Sequence, residues 1–290
     1  MPLTALGGSA GTVVVGESTT NAYAQTLHPN VSAYIAAQAS IGYAMTRTEI
    51  DAVNNLVWAM VANDLWDKME VVYPCIGNNA ASFKWNLKNT ATFNITFFGS
   101  WIYASTGMQV AAANAANRGA TGYTPSVHQT VGDAHISVYC RNFYLAGVTA
   151  PVFGAYGQFS GGGFSVGASS SVAGSADGWV QNTGSGSGRI SLSGYSGGML
   201  TASRITSSSV SFSTINNFVR FAALNTPASP PTRVSLQINV GSSFTGTGVM
   251  TASQPQEVAF ASMGLGLTPQ QCRNYYFIVQ SFQTALGRQV

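Results

Sequence analysis

The sequence predicts a mainly β protein, an antiparallel two-sheet sandwich with two flanking α-helices, and three observations carry that expectation. Between about residues 76 and 267, short segments of period-two alternation recur, separated by Gly, Asn and Ser turns. Helical periodicity is confined to one segment ahead of that region and one behind it. The chain is also poor in charge: 7% of its 290 residues are Asp, Glu, Lys or Arg, against roughly 25% in an ordinary soluble chain, while 46% are hydrophobic and 11% aromatic. Disordered chains have the opposite balance, with few apolar residues and much charge. A packed body follows.

Taken in order, residues 1–45 hold one acid, Glu17, and read as extended and turn-like. Gly7-Gly8-Ser9-Ala10-Gly11 leads into the β-branched run Thr12-Val13-Val14-Val15, a short strand or an arm that pairs with a neighbour. Residues 1–27 are therefore expected as an extended N-terminal arm for anchoring or assembly, and 28–290 as the sandwich domain. The first helix is expected near 47–62. Thr46-Arg47-Thr48-Glu49 has the spacing of a capping box, and Ile50, Val53, Leu56, Val57, Met60 and Val61 form one apolar stripe. Asn63-Asp64 ends it, and 65–69 read as a further turn leading into Val71-Val72-Tyr73-Pro74.

Strands are expected over 92–97, 135–140, 189–193 and 233–240, the last giving the longest clean alternation. Further candidates are 151–156, 163–168, 198–203, 218–224 and 256–262. The Pro-rich connection at 226–231 does not mark a domain boundary, because the strands on either side look alike. The second helix is expected near 269–286: Thr268 is the N-cap, Pro269 takes the first helical position and Gln271 completes the box. Cys272, Tyr275, Tyr276, Val279, Phe282 and Leu286 make its apolar face, and Gly287 supplies the stop.

The same composition narrows function. A net charge of +3 with three scattered lysines, Lys68, Lys84 and Lys88, is too little for phosphate-backbone binding, so no nucleic-acid partner is expected. No apolar run approaches the roughly 20 residues that span a bilayer, and no signal peptide or membrane insertion is expected. Cys75, Cys140 and Cys272 are odd in number and widely spaced, which is neither a disulfide framework nor a zinc pattern; they are expected as buried small hydrophobes. His128 and His135, near Asp133, are read as surface or turn residues rather than as metal ligands. Gly163-Phe-Ser-Val-Gly167 and Gly194-Tyr-Ser-Gly-Gly198 match the nucleophile-elbow pattern, yet every histidine precedes them, against the order a serine hydrolase needs. Glu70, Asp133, Asp177 and Glu257 are too scattered to nominate the carboxylate pair of a glycosidase. No catalytic residue, metal or cofactor is assigned. Trp101, Tyr103, Trp179 and Tyr195 have two readings, core filler or platforms for sugar rings. Trp179, Tyr195 and Trp101 are the glycan-binding candidates, Trp179 being the best placed for exposure.

The order of short motifs resembles a known module. His28-Pro29-Asn30-Val31 and Leu65-Trp66-Asp67-Lys68-Met69 lead to Val72-Tyr73-Pro74, Gly77 and Phe83-Lys84-Trp85-Asn86-Leu87-Lys88. Then come Gly99-Ser-Trp101, Ser105-Thr106-Gly107, Gly122-Tyr123 and His135-Ile-Ser-Val-Tyr139. Ala259-Phe-Ala261, Gly264, Gly266-Leu267-Thr268 and the stretch 280–290 close the series. This is similar to a module common in structural proteins of tailed bacteriophages and related prophages, over about 28–290, closest at the two ends and loosest between 145 and 255. The resemblance implies a jelly-roll sandwich of the concanavalin A-like (laminin-G-like) type and a non-enzymatic virion role, as capsid decoration or tail component. It implies as partners other virion proteins, sister subunits in a homo-oligomer and host surface glycans, and offers no catalytic residue.

Overall fold

The computed structural model describes residues 26–114, 116–142, 150–156, 163–168, 175–182, 190–193, 195, 197–206, 209–216, 218–224, 233, 235–241 and 255–290. Two antiparallel sheets face each other. Among the described residues the first sheet runs β13 (Phe218–Leu224), β12 (Ser209–Asn216), β11 (Gly198–Thr206), β6 (Ala134–Cys140), β15 (Val258–Gly264), β4 (Gly107–Val110) and β3 (Trp101–Ala104). A further strand, β1 (Met69–Tyr73), shares with β4 the side of β15 that faces away from β6. The second sheet runs β10 (Ile190–Ser193), β9 (Ser175–Asn182), β8 (Gly163–Ala168), β7 (Ala150–Tyr156), β14 (Asn239–Val240), β5 (Arg118–Ala120) and β2 (Thr96–Phe98). Ile136, Val138 and Leu200 from the first sheet meet Phe153, Phe164, Val166 and Val180 from the second in one continuous core. The expected jelly-roll-like sandwich is what the chain forms.

A helical layer covers the outer face of the first sheet. Here α1 (Pro29–Ser40), α2 (Arg47–Ala62) and α5 (Pro269–Ala285) bury Val31, Tyr34, Val53, Leu56, Tyr275 and Val279 against Val72, Tyr139, Met199 and Phe260. Two single turns, α3 (Ala80–Phe83) and α4 (Pro125–His128), complete the α-helices among the described residues. Both expected capping boxes form: the Thr46 hydroxyl accepts from the Glu49 amide at 3.2 Å, and the Thr268 hydroxyl accepts from that of Gln271 at 3.2 Å. The helix α1 corrects the reading of 28–45 as extended. His28 is its N-cap, its Nδ1 accepting from the Asn30 amide at 3.2 Å, and Pro29 takes the first helical position. Gln38 anchors the far end on the Ile76 and Ser82 carbonyls, at 3.2 and 3.0 Å. A histidine cap and a single short apolar stripe are weak signals by comparison with Thr46 or Thr268.

Two expected strands are shortened. Within 92–97 only Thr96 and Phe97 join a strand, because Asn86 and Asn94 side chains take over the backbone. Asn94 Oδ1 accepts from the Asn86 amide at 3.0 Å and its Nδ2 donates to the Thr90 carbonyl at 2.7 Å, while Phe93 turns at φ 56°. Within 233–240 the ladder proper is Asn239–Val240, though Ile238 still pairs with Tyr123 and Thr121 through its amide and carbonyl. The strand expected at 135–140, whose alternation is that of a half-buried strand, is buried along its whole length, with helices on one face and the second sheet on the other. The run 12–15, the rest of the expected arm up to 25, the connection 226–231 and the second elbow-like motif's Gly194 and Ser196 lie outside the described residues.

Candidate functional site

The margin where the two sheets end together carries a cluster of aromatic side chains, of which Phe97, Trp101 and Tyr103 are partly buried against the inter-sheet core. The chain leaves β2, turns at Gly99 and enters β3 in the other sheet, so two terminal strands lie at one margin. Gly99 has φ 75°, and a Cβ there would stand 2.1 Å from Asn117 Oδ1, which accepts from the Ser100 amide at 2.8 Å. Only glycine fits a crossing this tight. Trp101 and Tyr103, two apart on β3, project to the same side and stack, with ring centroids 6.4 Å apart and planes at 21°. Phe97 meets both edge-on, at 5.1 and 5.4 Å, and Phe83 lies 5.6 Å from Tyr103. Trp101 is half-buried, its Nε1 donating to the Phe98 carbonyl at 3.0 Å. Phe98 and Ile102 are exposed, at 40% and 47%, and the Arg118 guanidinium sits 4.0 Å over the Phe98 ring.

The other two aromatic candidates fare differently. Tyr195 is 1% exposed, packed in the inter-sheet core, its hydroxyl donating to the Gly198 carbonyl at 2.5 Å. It is a core residue and not a platform, because the ring of a phenol can be buried wherever its hydroxyl reaches a carbonyl. Trp179 stands on β9 opposite Ser165, and its side chain lies outside the described residues.

Of the candidate carboxylates, the three with described side chains each hold a different partner. Glu70, on β1, accepts from the buried Tyr123 hydroxyl; burial raises its pKa, opposed by that hydrogen bond and by nearby His128. Tyr123, Phe93 and His128 make a compact aromatic group beside it, with centroids 4.8 to 5.0 Å apart. Glu257 is held by Arg141 Nη1 at 3.0 and 3.2 Å. Asp133 Oδ1 accepts from the Gly266 amide at 2.6 Å. Glu70 flanks the Met263–Gly264 end of β15 and Glu257 precedes its start at Val258, so the two are separated along the strand by roughly 20 Å at ~3.3 Å per residue. A glycosidase pair stands at about 5–9.5 Å. Asp177 lies on β9 with its side chain outside the described residues.

His135 corrects its expected surface position. It is fully buried under the helical layer, with Nδ1 2.6 Å from the Leu265 carbonyl and Nε2 without a partner among the described residues. Burial pushes its pKa down to about 4. His128 is exposed at the end of α4, as expected. Among the described residues no group of three His, Cys, Asp or Glu side chains is gathered as a metal site. Ser165 of the first elbow-like motif is buried inside β8 and not on a strand-to-helix turn. Cys75, Cys140 and Cys272 are free and buried, with burial raising the Cys75 thiol to about 12.

One polar feature escaped the sequence reading. Arg288, beyond the last helix, is fully buried, and its Nη1 and Nη2 donate to the Cys75 and Pro74 carbonyls at 2.8 and 2.6 Å. Desolvation lowers its pKa to about 10, which leaves it charged at neutral pH. It ties the C-terminal residues to the end of β1; Val290 is fastened alongside by its amide donating to the Tyr139 hydroxyl at 3.0 Å. Next to Gly287, Arg288 reads as a helix-end cation, so nothing in the sequence marks it as buried.

Comparison with protein-family models and with curated proteins finds no match. Among solved structures, the chain is similar to domain 4 of AbnA, a GH43 extracellular arabinanase from Geobacillus stearothermophilus in complex with arabinotriose. The identity is 15% and the TM-score 0.48, over 72% of this chain and 98% of that one. A Trypanosoma rangeli sialidase matches at 7% identity and TM-score 0.38, over 81% of this chain and 39% of that one. The exoplasmic/lumenal domain of VIP36 in its Ca2+/Man2-bound form matches at 11% identity and TM-score 0.32, over 70% of this chain and 93% of that one.

Proposed function

We propose that this chain is a non-enzymatic structural protein of a bacteriophage virion, displayed on the particle as capsid decoration or tail component and assembled as a homo-oligomer. The use the body makes of its few charges carries the scaffold reading. Glu49 closes a capping box, Glu70 receives Tyr123, Asp133 fastens the Gly266 amide, Glu257 pairs with Arg141, and Arg288 plugs the end of β1. These groups are committed to holding main chain and side chains in place. The virion assignment is supported by the motif order over 28–290 that resembles phage structural modules. It is tested by mass spectrometry of particles purified from a lysate of the host that carries this sequence. The chain is expected at a stoichiometry comparable to other structural components; particles that lack it would overturn the assignment.

A second reading, a carbohydrate-binding module, is favoured by one observation. The stacked, half-buried Trp101–Tyr103 pair lies on a strand without charged residues, where the C–H face of a neutral sugar can pack on the indole. On a glycan array, binding by the intact protein that falls at least tenfold in Trp101→Ala supports it. An intact protein that binds no glycan disposes of it.

A further inference from the structure

We infer that the open edge of β3 is the contact through which two copies of this chain pair, strand to strand, about a twofold axis at Ile102. The inference rests on the homo-oligomer part of the proposed function and names its surface.

The edge is unprotected. Residues 89–117 contain no charged residue and no proline. Exposed edges in monomers ordinarily carry a lysine, a proline or a bulge to discourage pairing. Among the described residues β3 pairs with β4 alone, in an unbroken register from Trp101↔Val110 to Ala104↔Gly107. The neighbouring margin of β2 differs, since Arg118 lies over Phe98 there.

The hydrogen-bond phase makes the edge complementary to itself. The Ala111 amide donates to the Ser100 carbonyl at 3.0 Å, so Ser100 and Ala111 form a hydrogen-bonded pair. Antiparallel pairs alternate, which directs the amides and carbonyls of Ile102 and Ala104 towards β4 and turns those of Trp101 and Tyr103 outwards. With a twofold axis at Ile102, Trp101 of each copy faces Tyr103 of the other, and four main-chain hydrogen bonds close without a shift in register. The two Ile102 residues then form a non-hydrogen-bonded pair with Cα atoms about 4.5 Å apart. Their side chains, 47% exposed in the single chain, cover one another. On the opposite face Trp101 and Tyr103 extend their stack across the axis as cross-strand aromatic pairs. An extended peptide of another protein could use the same donors; a second copy in addition sets isoleucine against isoleucine at the centre of the pairing.

Two variants of the full chain test this. Ile102→Lys sets two ammonium groups against each other at the axis, and its mass by sedimentation should fall to half that of the intact protein, with an unchanged circular dichroism spectrum. Ile102→Cys brings two thiols within the Cα separation a disulfide spans, so mild oxidation should give a covalent dimer in high yield. Val127→Cys, at a position 72% exposed on α4, should not cross-link, and the three native thiols are buried. A monomeric intact protein overturns the inference, as does an oligomer that Ile102→Lys leaves whole while Ile102→Cys stays uncross-linked. If particles contain the chain but its oligomer ignores both variants, the edge fails and the virion reading stands. If the variants behave as expected but particles lack the chain, the virion reading fails and the edge stands.

Discussion

His135 sets part of this protein's response to acid. Its Nδ1 lies 2.6 Å from the Leu265 carbonyl, which calls for a proton on that nitrogen, and its Nε2 is buried without a partner among the described residues. A second proton would therefore have no acceptor and would add a charge in an apolar setting near Lys68. In the unfolded chain the imidazole takes its proton near pH 6.5, whereas in the folded body burial holds the pKa down to about 4. Between those values the unfolded chain binds more protons than the folded one. The stabilisation is thus complete above pH 6.5 and lost as pH falls towards 4, by up to about 3 kcal/mol. His135→Asn retains a donor for the Leu265 carbonyl and removes the titration. Urea unfolding at pH 7 and at pH 4.5 should show a smaller loss in the variant than in the parent; an equal loss would place the acid sensitivity elsewhere. Of this, the sequence showed only a histidine at the head of an alternating strand.

At the scale of elements, the pairing of β1 with β15 joins the N-terminal helices to the sandwich through the main chain. The strand follows directly from α2 through the turn at Trp66–Lys68 and adds to the edge of β15 in the register Met69↔Gly264 to Tyr73↔Ala261. The approach is close at Gly264, where a Cβ would stand 2.0 Å from the Lys68 carbonyl oxygen and 3.0 Å from the Glu70 amide. Backbone atoms cannot swing aside as a side chain would. Gly264→Ala should therefore cost about 1–3 kcal/mol, the range of overpacking in a well-packed body. Chemical denaturation would read the loss, and a change within 0.5 kcal/mol would show that β1 shifts at little cost. Helices with strong caps were legible because Thr46 and Thr268 with their partners three residues on are local signals. The shortening of the strand at 92–97 was not, because the Asn86 and Asn94 side chains compete for the backbone there.

Across the whole molecule the architecture is three layers, helices over one sheet and that sheet over a second. The middle layer has no solvent face at its centre, so β6 and β15 are buried along their entire lengths. The outward residues of β6 find partners beneath the helical layer or in it: Ser137 donates to Thr201 of the neighbouring strand β11 at 3.0 Å and Tyr139 to Gln280 of α5 at 3.0 Å. Amides in the centre of β6 and β15 are expected to exchange with solvent only through global unfolding, while those of β3 exchange through local opening. Hydrogen-exchange mass spectrometry would check the order, and protection of β3 equal to that of β6 in the single chain would contradict it. The partly exposed aromatic margin, the candidate contact surface, belongs to this scale too. It exists because β2 and β3, separated by two residues, end different sheets at the same side.

The division between sequence and structure follows from the range of the interactions. Alternation, caps and turn residues act over a few positions, so the sandwich class, both capped helices and most strands were determined by the sequence itself. So was the scarcity of charge, which leaves few groups for chemistry. Only the tertiary structure decided what the alternation faced. The polar positions His135, Ser137 and Tyr139 alternate as a solvent face would, but a helical layer drawn from both ends of the chain covers them, and their hydrogen bonds go to the Leu265 carbonyl, to Thr201 of β11 and to Gln280 of α5. The same long-range packing buried Tyr195 and Arg288, left Trp101 half-open, and turned an uncharged strand into a sheet edge. A residue's partners across the fold, set by contacts a hundred or more positions away, have no trace in its local spacing.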